Sequence, residues 1–432
     1  MFFPKLTAYQ TLENSQGTLD PLGLYSIADR LANYLAPGLR ERMKHPRYLT
    51  AIAVGAVVCG EFGEDELAAD EVSQPWQVYE WYVASALVKR YEDDIFQLRG
   101  LSGREKTMNA KKAGVPLSAI RYLKLPSVFG FHGVYRTLAK EINLISDNRI
   151  GEFGLQLIDT WEQEQGLTGF RVGIKNTKGN EFRIKIFDAV KQGLAEGAVA
   201  RKWNWDFYNV LAENLAPKSP GKKETLLLFE RLSDLNTRKE LINFLISQDG
   251  QAAIKSESEK DFHTRFLSKA IETRSIILAI QAYEKVSRLL FNAFYESLQW
   301  MEKNQSKGSI AKLALLTHVA KAYKDLPTAF KKADEKLGPF RKEAVDFLTR
   351  FQELRDSSSI TDWLKLLFEH HASVQGNKPP NGKAPWILQH SSGNYLLNSN
   401  QSIQQNLNDE YVHQYRTFAL QSFMKDLGEI KE

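Results

Sequence analysis

One cysteine, Cys59, is all that the 432 residues contain. A lone cysteine excludes an internal disulfide and a Cys-rich zinc site, and the chain reads as built for a reducing compartment. Long apolar runs are missing as well. The most apolar segment, Leu49–Gly60, has about 12 residues, where roughly 20 are needed to cross a bilayer. Cys59, near its end, reads as a buried, inert thiol. Met1-Phe-Phe-Pro-Lys5 lacks a basic segment followed by a long apolar core and a small-residue cleavage site. No secretion signal is therefore expected, and the chain is expected to be cytoplasmic with no membrane partner. Charge of one sign is also scarce. The 57 Lys and Arg stand against 52 Asp and Glu, a net +5, which permits a nucleic-acid partner without requiring one.

Cofactor signatures are absent too. There is no Walker A sequence and no Gly-x-Gly-x-x-Gly, so neither ATP nor a dinucleotide has a motif to bind. The eight histidines are scattered. Only His370 and His371 adjoin, and neighbours on a helix point in different directions. No His-Glu-x-x-His accompanies them, and Ser127 and Ser309 lie in no triad context. No cofactor and no metal is expected. The acidic groups Glu64-Asp65-Glu66 and Glu92-Asp93-Asp94 leave open a cryptic Mg²⁺-dependent nuclease, but no lysine is convincingly placed beside them.

What is present is helical periodicity. With 43% hydrophobic and 25% charged residues, the composition is that of an ordinary globular protein, which rules out bulk disorder. The expected fold is mainly α and multi-domain: a helical region over 1–100, a helix-turn-helix or winged-helix-like unit over 101–165, a basic mixed region over 166–260, and a C-terminal helical bundle over 261–432. Minor β hairpins are expected, including one in a loop at 372–409.

Leu24, Ile27, Ala28, Leu31 and Leu35 recur at helical spacing, between Asp20-Pro21 and Pro37-Gly38. A tight basic group follows: Arg40, Arg42, Lys44, His45 and Arg47. Pro75-Trp76 opens a helix whose aromatic side, Trp76 and Tyr79, reads as core. Phe170–Ile174 and Phe182–Phe187 alternate like strands around the turn-forming Asn176–Asn180; the second segment can equally begin a helix through Ala189, Val190 and Leu194. Further helices are expected at Glu224–Leu235, Thr237–Ser247, His263–Trp300, Ser309–Lys324, Thr328–Lys336, Phe340–Arg355, Ile360–His370 and Asp409–Leu427. Trp386–Gln389 and Tyr395–Leu397 can pair around Ser391–Asn394.

The segment Met108–Lys124 carries the functional signal. A helix-turn-helix needs a small residue in its first helix, a glycine at the turn where φ > 0 is often required, and apolar residues on the inner face of its second helix. Ala110, Gly114, Ile120 and Leu123 sit at those intervals, and Pro116 is acceptable in a first helical turn. Lys111, Lys112, Ser118, Arg121 and Lys124 are then outward candidates for DNA contact. His132–Ile145 is expected as a helix, Ser146–Arg149 as a turn, and Gly154–Glu162 as another helix, an order similar to part of a winged helix.

Charge is concentrated around this motif. Residues 89–127 hold nine basic against four acidic side chains, and residues 168–203 hold eight against three. In the second stretch Arg171, Lys175, Lys178, Arg183 and Lys185 are candidates to neutralise phosphates. Trp203, Trp205, Phe207 and Tyr208 follow it, either stacking on bases or packing in the core.

With Phe129-Gly-Phe-His-Gly-Val-Tyr135, the winged-helix-like segment and the long helical remainder, the chain resembles winged-helix proteins of prokaryotic antiphage-defence and DNA-processing operons. The resemblance covers about 60 residues. It implies a nonenzymatic DNA-binding or DNA-sensing subunit that works beside an ATPase or nuclease, or a scaffold for such partners. No catalytic residue carries over.

Overall fold

The computed structural model describes residues 20–147, 149–256, 258–379, 381–390, 394–398 and 403–431. Met1–Lys5, read for a secretion signal, lie outside the described residues, as do Asn148 of the expected Ser146–Arg149 turn and Ser391–Gly393 of the expected hairpin turn. The fold is mainly α, as expected, with 20 helices and five short strands among the described residues. No helix among them is long and apolar enough to cross a membrane. The chain groups into two compact units. One takes the described parts of Ala36–Ile246 and Arg416–Glu432; the other takes those of Met1–Leu35 and Ser247–Tyr415.

Chain order begins with α1 (Tyr25–Leu35). Asp20 opens it, its carboxylate accepting from the Leu24 and Tyr25 amides at 3.1 and 2.7 Å. Next come α2 (Tyr48–Cys59), α3 (Pro75–Tyr91), α4 (Ile95–Leu98) and α5 (Arg104–Lys112). The α2 helix is buried all round from Tyr48 to Val58, the mark of a central helix. That is where the short apolar run goes. Glycine at 114 adopts φ +66° and ends α5 as the turn pattern requires.

The second helix of the expected helix-turn-helix does not form. Residues 115–117 take no regular structure, Ser118 bridges Ala198, and 119–121 make a turn. Three causes combine. Pro116 disfavours helical backbone at Val115. The Val199 amide donates to the Leu117 carbonyl at 2.8 Å. Tyr122 is the residue that turns inward, its hydroxyl donating to Glu80 at 2.8 Å, while Ile120, expected inward, is 96% exposed.

Then follow α6 (Pro126–Phe129), α7 (Phe131–Glu141), β1 (Ile145–Ser146), β2 (Arg149–Ile150) and α8 (Glu152–Glu164). The β1–β2 pair is antiparallel with Ile145 opposite Ile150. This reproduces the expected helix, turn and helix, with Val134, Leu138, Ile142 and Ile145 buried.

The strand pair expected over 170–187 is absent. Residues 178–196 are helical instead, as α9 (Lys178–Glu196). Thr177 caps it, its hydroxyl accepting from the Asn180 amide at 3.3 Å. The alternation Phe182-Ile184-Ile186 hides a period of four: Phe182 and Ile186 are buried, and Ile184 is 48% exposed. Phe182 packs beside Trp161, Phe170 and Phe207. After α10 (Phe207–Asn214), α11 (Lys222–Leu232) and α12 (Asn236–Ile246) match the expected helices within a few residues.

The 247–415 unit continues with α13 (Gln248–Ser256), α14 (Glu259–Phe266), α15 (Arg274–Lys303), β3 (Lys307–Ser309), α16 (Ile310–Leu313), α17 (Thr317–Leu337), α18 (Arg341–Arg355), α19 (Ile360–Gly376), β4 (Ile387–Gln389) and β5 (Asn394–Leu397). The helix expected over Ser309–Lys324 is broken: Ser309 ends β3, Ile310–Leu313 form the short α16, and α17 starts at Thr317 and runs on through the expected Thr328–Lys336 helix with Pro327 inside it. The expected hairpin forms with Leu388 opposite Leu396, and β3 adds a third strand in the order β3-β5-β4. Along α15, Glu284, Arg288 and Asn292 stand at intervals of four and hold residues 408–415. Glu284 accepts from His413 Nδ1 at 2.6 Å and from the Tyr415 hydroxyl at 2.7 Å, and Arg288 donates to the Tyr411 carbonyl at 2.7 Å. Those bonds hold the strap in a non-helical course, so α20 (Thr417–Asp426) starts later than the expected Asp409.

Candidate nucleic-acid interface

Backbone pairing between two loops of the 36–246 unit joins the two basic stretches. Val199 N donates to Leu117 O, and Trp203 Nε1 donates to the Val115 carbonyl at 3.0 Å. Residues 115–118 of the first stretch thus lie alongside 198–203 of the second. Lys112, Arg121 and Lys124 are exposed, as is Lys202, and none of the four has an ion-pair partner among the described residues. Lys111 is held by Glu92, and Ser118 is engaged in the bridge to Ala198. The structure therefore keeps Lys112, Arg121 and Lys124 outward but sets them on a loop and a helix end. They do not form one face of a recognition helix.

The second stretch divides differently. Arg171 pairs with Asp159. Arg183 pairs with Glu61 at 2.7 Å and donates to the Phe170 and Arg171 carbonyls. Both arginines thereby fasten the 168–177 loop and are poorly placed to meet phosphate. Lys175, Lys178 and Lys185 are exposed. Trp203 and Trp205 are half-buried, Phe207 and Tyr208 are buried, and the four rings pack on one another and on Tyr82 and Phe182. Arg201 lies over the Trp205 ring at 5.2 Å. Arg201 and Lys202 belong to the charge total of 168–203, but their adjacency to 115–118 leaves no signal in the sequence, because a loop-to-loop pairing has no periodicity.

The basic group at 40–47 is mostly structural. Arg47 is fully buried against Glu224 at 3.1 Å and donates to the Ala216 and Asn214 carbonyls. His45 pairs with Asp426. Arg40 reaches Thr137, and Arg42 covers the Phe129 ring. The acidic groups are also engaged: Glu92 with Lys111, Asp94 capping α4, Glu64 with Arg149. No cluster of metal-ligating side chains occurs among the described residues. His370 and His371 each bond a backbone carbonyl, those of Leu22 and Pro21.

A buried carboxylate and a cavity complete the picture. Glu80, fully buried on α3, accepts from the Phe131 and His132 amides at 3.1 and 3.0 Å, where α7 begins, and from Tyr122. Gly130 makes room for it, since a Cβ there would lie 2.2 Å from Glu80 Oε1. Burial raises the Glu80 carboxyl to about 7 despite those three donors. Beside it lies a cavity of about 230 Å³ lined by α2, Trp76, Tyr79, Phe131 and His132, with Glu64, Asp147 and Arg149 at its rim. The His132 imidazole stacks on Trp76 with centroids 4.4 Å apart. Burial lowers it to about 3, so it is neutral at physiological pH. Cys59 also lines this cavity, and burial raises its thiol.

No protein-family model, curated protein or solved structure matches the chain.

Proposed function

We propose that the chain is a nonenzymatic DNA-contacting protein that meets phosphate through loops of the 36–246 unit, without a helix laid in a groove. The observation that carries this reading is the pairing of 115–118 with 198–203. It brings the loop between Lys112 and Arg121 alongside the segment of Lys202 and the half-buried Trp203 and Trp205, and Lys112, Arg121 and Lys124 are exposed without an ion-pair partner among the described residues. Cations of this kind release counterions on binding, and aromatic rims suit unpaired bases. A role beside an ATPase or nuclease in a bacterial defence assembly rests on the sequence resemblance alone. The test is fluorescence anisotropy with labelled single- and double-stranded DNA over a salt series, with and without Mg²⁺. Micromolar binding that weakens steeply with salt is expected; no binding at low salt overturns the reading. DNA cleavage abolished by chelator would overturn the nonenzymatic part.

A scaffold role is the second reading. Val172, Ile174 and Ile184 are 58%, 50% and 48% exposed, on the loop and helix that carry Lys175, Lys178 and Lys185. Copurification of an ATPase or nuclease from DNase-treated lysate, lost when the three aliphatics become serine, would favour it.

A further inference from the structure

We infer that the cavity between α2, α3 and α7 is a binding site for a planar nitrogen heterocycle of nucleobase size that carries a polar or anionic substituent. The inference stands apart from the DNA-contact reading, because a free nucleotide can fill such a site in a protein that binds no DNA.

Shape comes first. About 230 Å³ lies below the roughly 300–1,000 Å³ of drug-sized sites, so the room suits a one- or two-ring ligand. Small residues on α2 and just after it, Gly55, Ala56 and Gly60, leave that room. The walls are flat. Trp76 and His132 are stacked on each other, and Phe62, Tyr79 and Phe131 add further rings. Trp76 is held in place by its Nε1 donating to Gln74 Oε1 at 2.5 Å, and Tyr79 by its hydroxyl donating to the Ala51 carbonyl at 2.8 Å. Rings fixed in this way favour a flat partner, since stacking is effective only face to face or edge to face.

Chemistry narrows the class. Polar groups stand among the rings of the interior: Gln74 and Cys59 line it together with His132, which is 8% exposed. A neutral imidazole offers one donor and one acceptor, and an amide adds both kinds. A heterocycle with ring nitrogens suits so mixed a lining, whereas a plain hydrocarbon ring does not. Charge is confined to the rim, where exposed Arg149 pairs with Glu64 and Asp147 stands nearby. A sugar or phosphate substituent would lie there, with Arg149 exchanging its carboxylate partner for the ligand's anion.

Equilibrium dialysis of the full chain against adenosine, guanosine, cytidine, uridine and their 5′-monophosphates tests the site. At least one base is expected to bind with Kd below 1 mM. Binding is expected to weaken at least tenfold in Ala56→Leu, which fills the cavity, and in Trp76→Ala. Arg149→Ala is expected to weaken the monophosphate at least threefold and leave the nucleoside unchanged. Cys59 is the sole cysteine, so the bound ligand is also expected to slow its alkylation by N-ethylmaleimide. A single-stranded 12-mer that displaces the mononucleotide marks an unpaired base of a strand as the source; failure to displace it marks a free ligand. No binding of any of the eight compounds at 1 mM overturns the inference. So does binding unchanged in an Ala56→Leu variant with native circular dichroism.

Discussion

Residues 89–127 and 168–203 carry the same excess of five positive charges, and within each the structure fastens some cations, such as Lys111 and Arg171, and leaves others to solvent, such as Lys124 and Lys175. In the second stretch the two arginines nearest the loop are fastened to Asp159 and Glu61 and to backbone carbonyls. In the first, Lys112, Arg121 and Lys124 face solvent without an ion-pair partner among the described residues. Net charge along a chain therefore overstates the charge available to a polyanion. An arginine that satisfies loop carbonyls is part of the fold, and its removal is felt as lost stability. A solvated lysine is felt only when a partner arrives.

Arg47 is the extreme of the fastened kind. Arg47→Ala leaves Glu224 buried and unpaired, which costs about 3–5 kcal/mol. Denaturant unfolding is expected to show that loss, while any folded fraction keeps its DNA affinity. Should DNA affinity fall while stability holds, the division between fastened and free cations fails.

Acid comes next in size. Burial lowers His132 and His263 to about 3 and His371 to about 4. These groups are neutral in the fold and protonate on unfolding, so their contribution is present above about pH 6.5 and lost as pH falls toward those values. Glu80, raised to about 7, acts in the opposite sense: it holds a proton in the fold that the unfolded chain releases above its usual value. Between roughly pH 4.5 and 6.5 the imidazoles, with His370 also lowered by burial, take up more protons on unfolding than Glu80 releases, so stability falls as pH falls. The melting temperature is expected to fall steeply across that window. A flat profile would show that the imidazoles are not held neutral. At the alkaline side, burial lowers His413, but the Glu284 charge and hydrogen bond outweigh it and leave it raised. Its contribution is therefore lost as pH rises through its folded value.

Smaller effects separate the two stretches directly. Lys112→Glu with Arg121→Glu and Lys124→Glu is expected to weaken DNA binding at least tenfold at moderate salt, with stability changed by no more than about 0.5 kcal/mol, as for exposed sites. Arg183→Ala is expected to cost about 1–2 kcal/mol, the scale of unsatisfied carbonyls and a lost charged bond, with DNA affinity within twofold. Equal effects of the two variants on DNA binding would erase the distinction.

Much of the helical content was legible because burial follows period. The alignment of Leu24 with Leu31 and Leu35, the α7-hairpin-α8 order, and the Trp386–Leu397 pairing all follow from local pattern. The failures share a cause. Pro116 and Ile120 fit a second helix by spacing, yet the Leu117 carbonyl is claimed by Val199, a residue 82 positions away, and no local rule reports that. Phe182-Ile184-Ile186 satisfies both a strand and a helix pattern, and the Thr177 cap decides between them. Of the site, the outward Lys112, Arg121 and Lys124 were legible from charge. The cavity around His132 was not, since its walls come from α2, α3 and α7 and look like ordinary core in each segment taken alone.

The central claim is that the free cations of the first stretch meet phosphate. The most direct measurement is the slope of log Kd against log salt concentration for DNA binding, compared between the native chain and the Lys112, Arg121 and Lys124 triple reversal. Each lost phosphate contact removes about 0.9 from the slope on duplex DNA, so a slope shallower by about 2.7 is predicted. An unchanged slope in a variant with native circular dichroism would contradict the account.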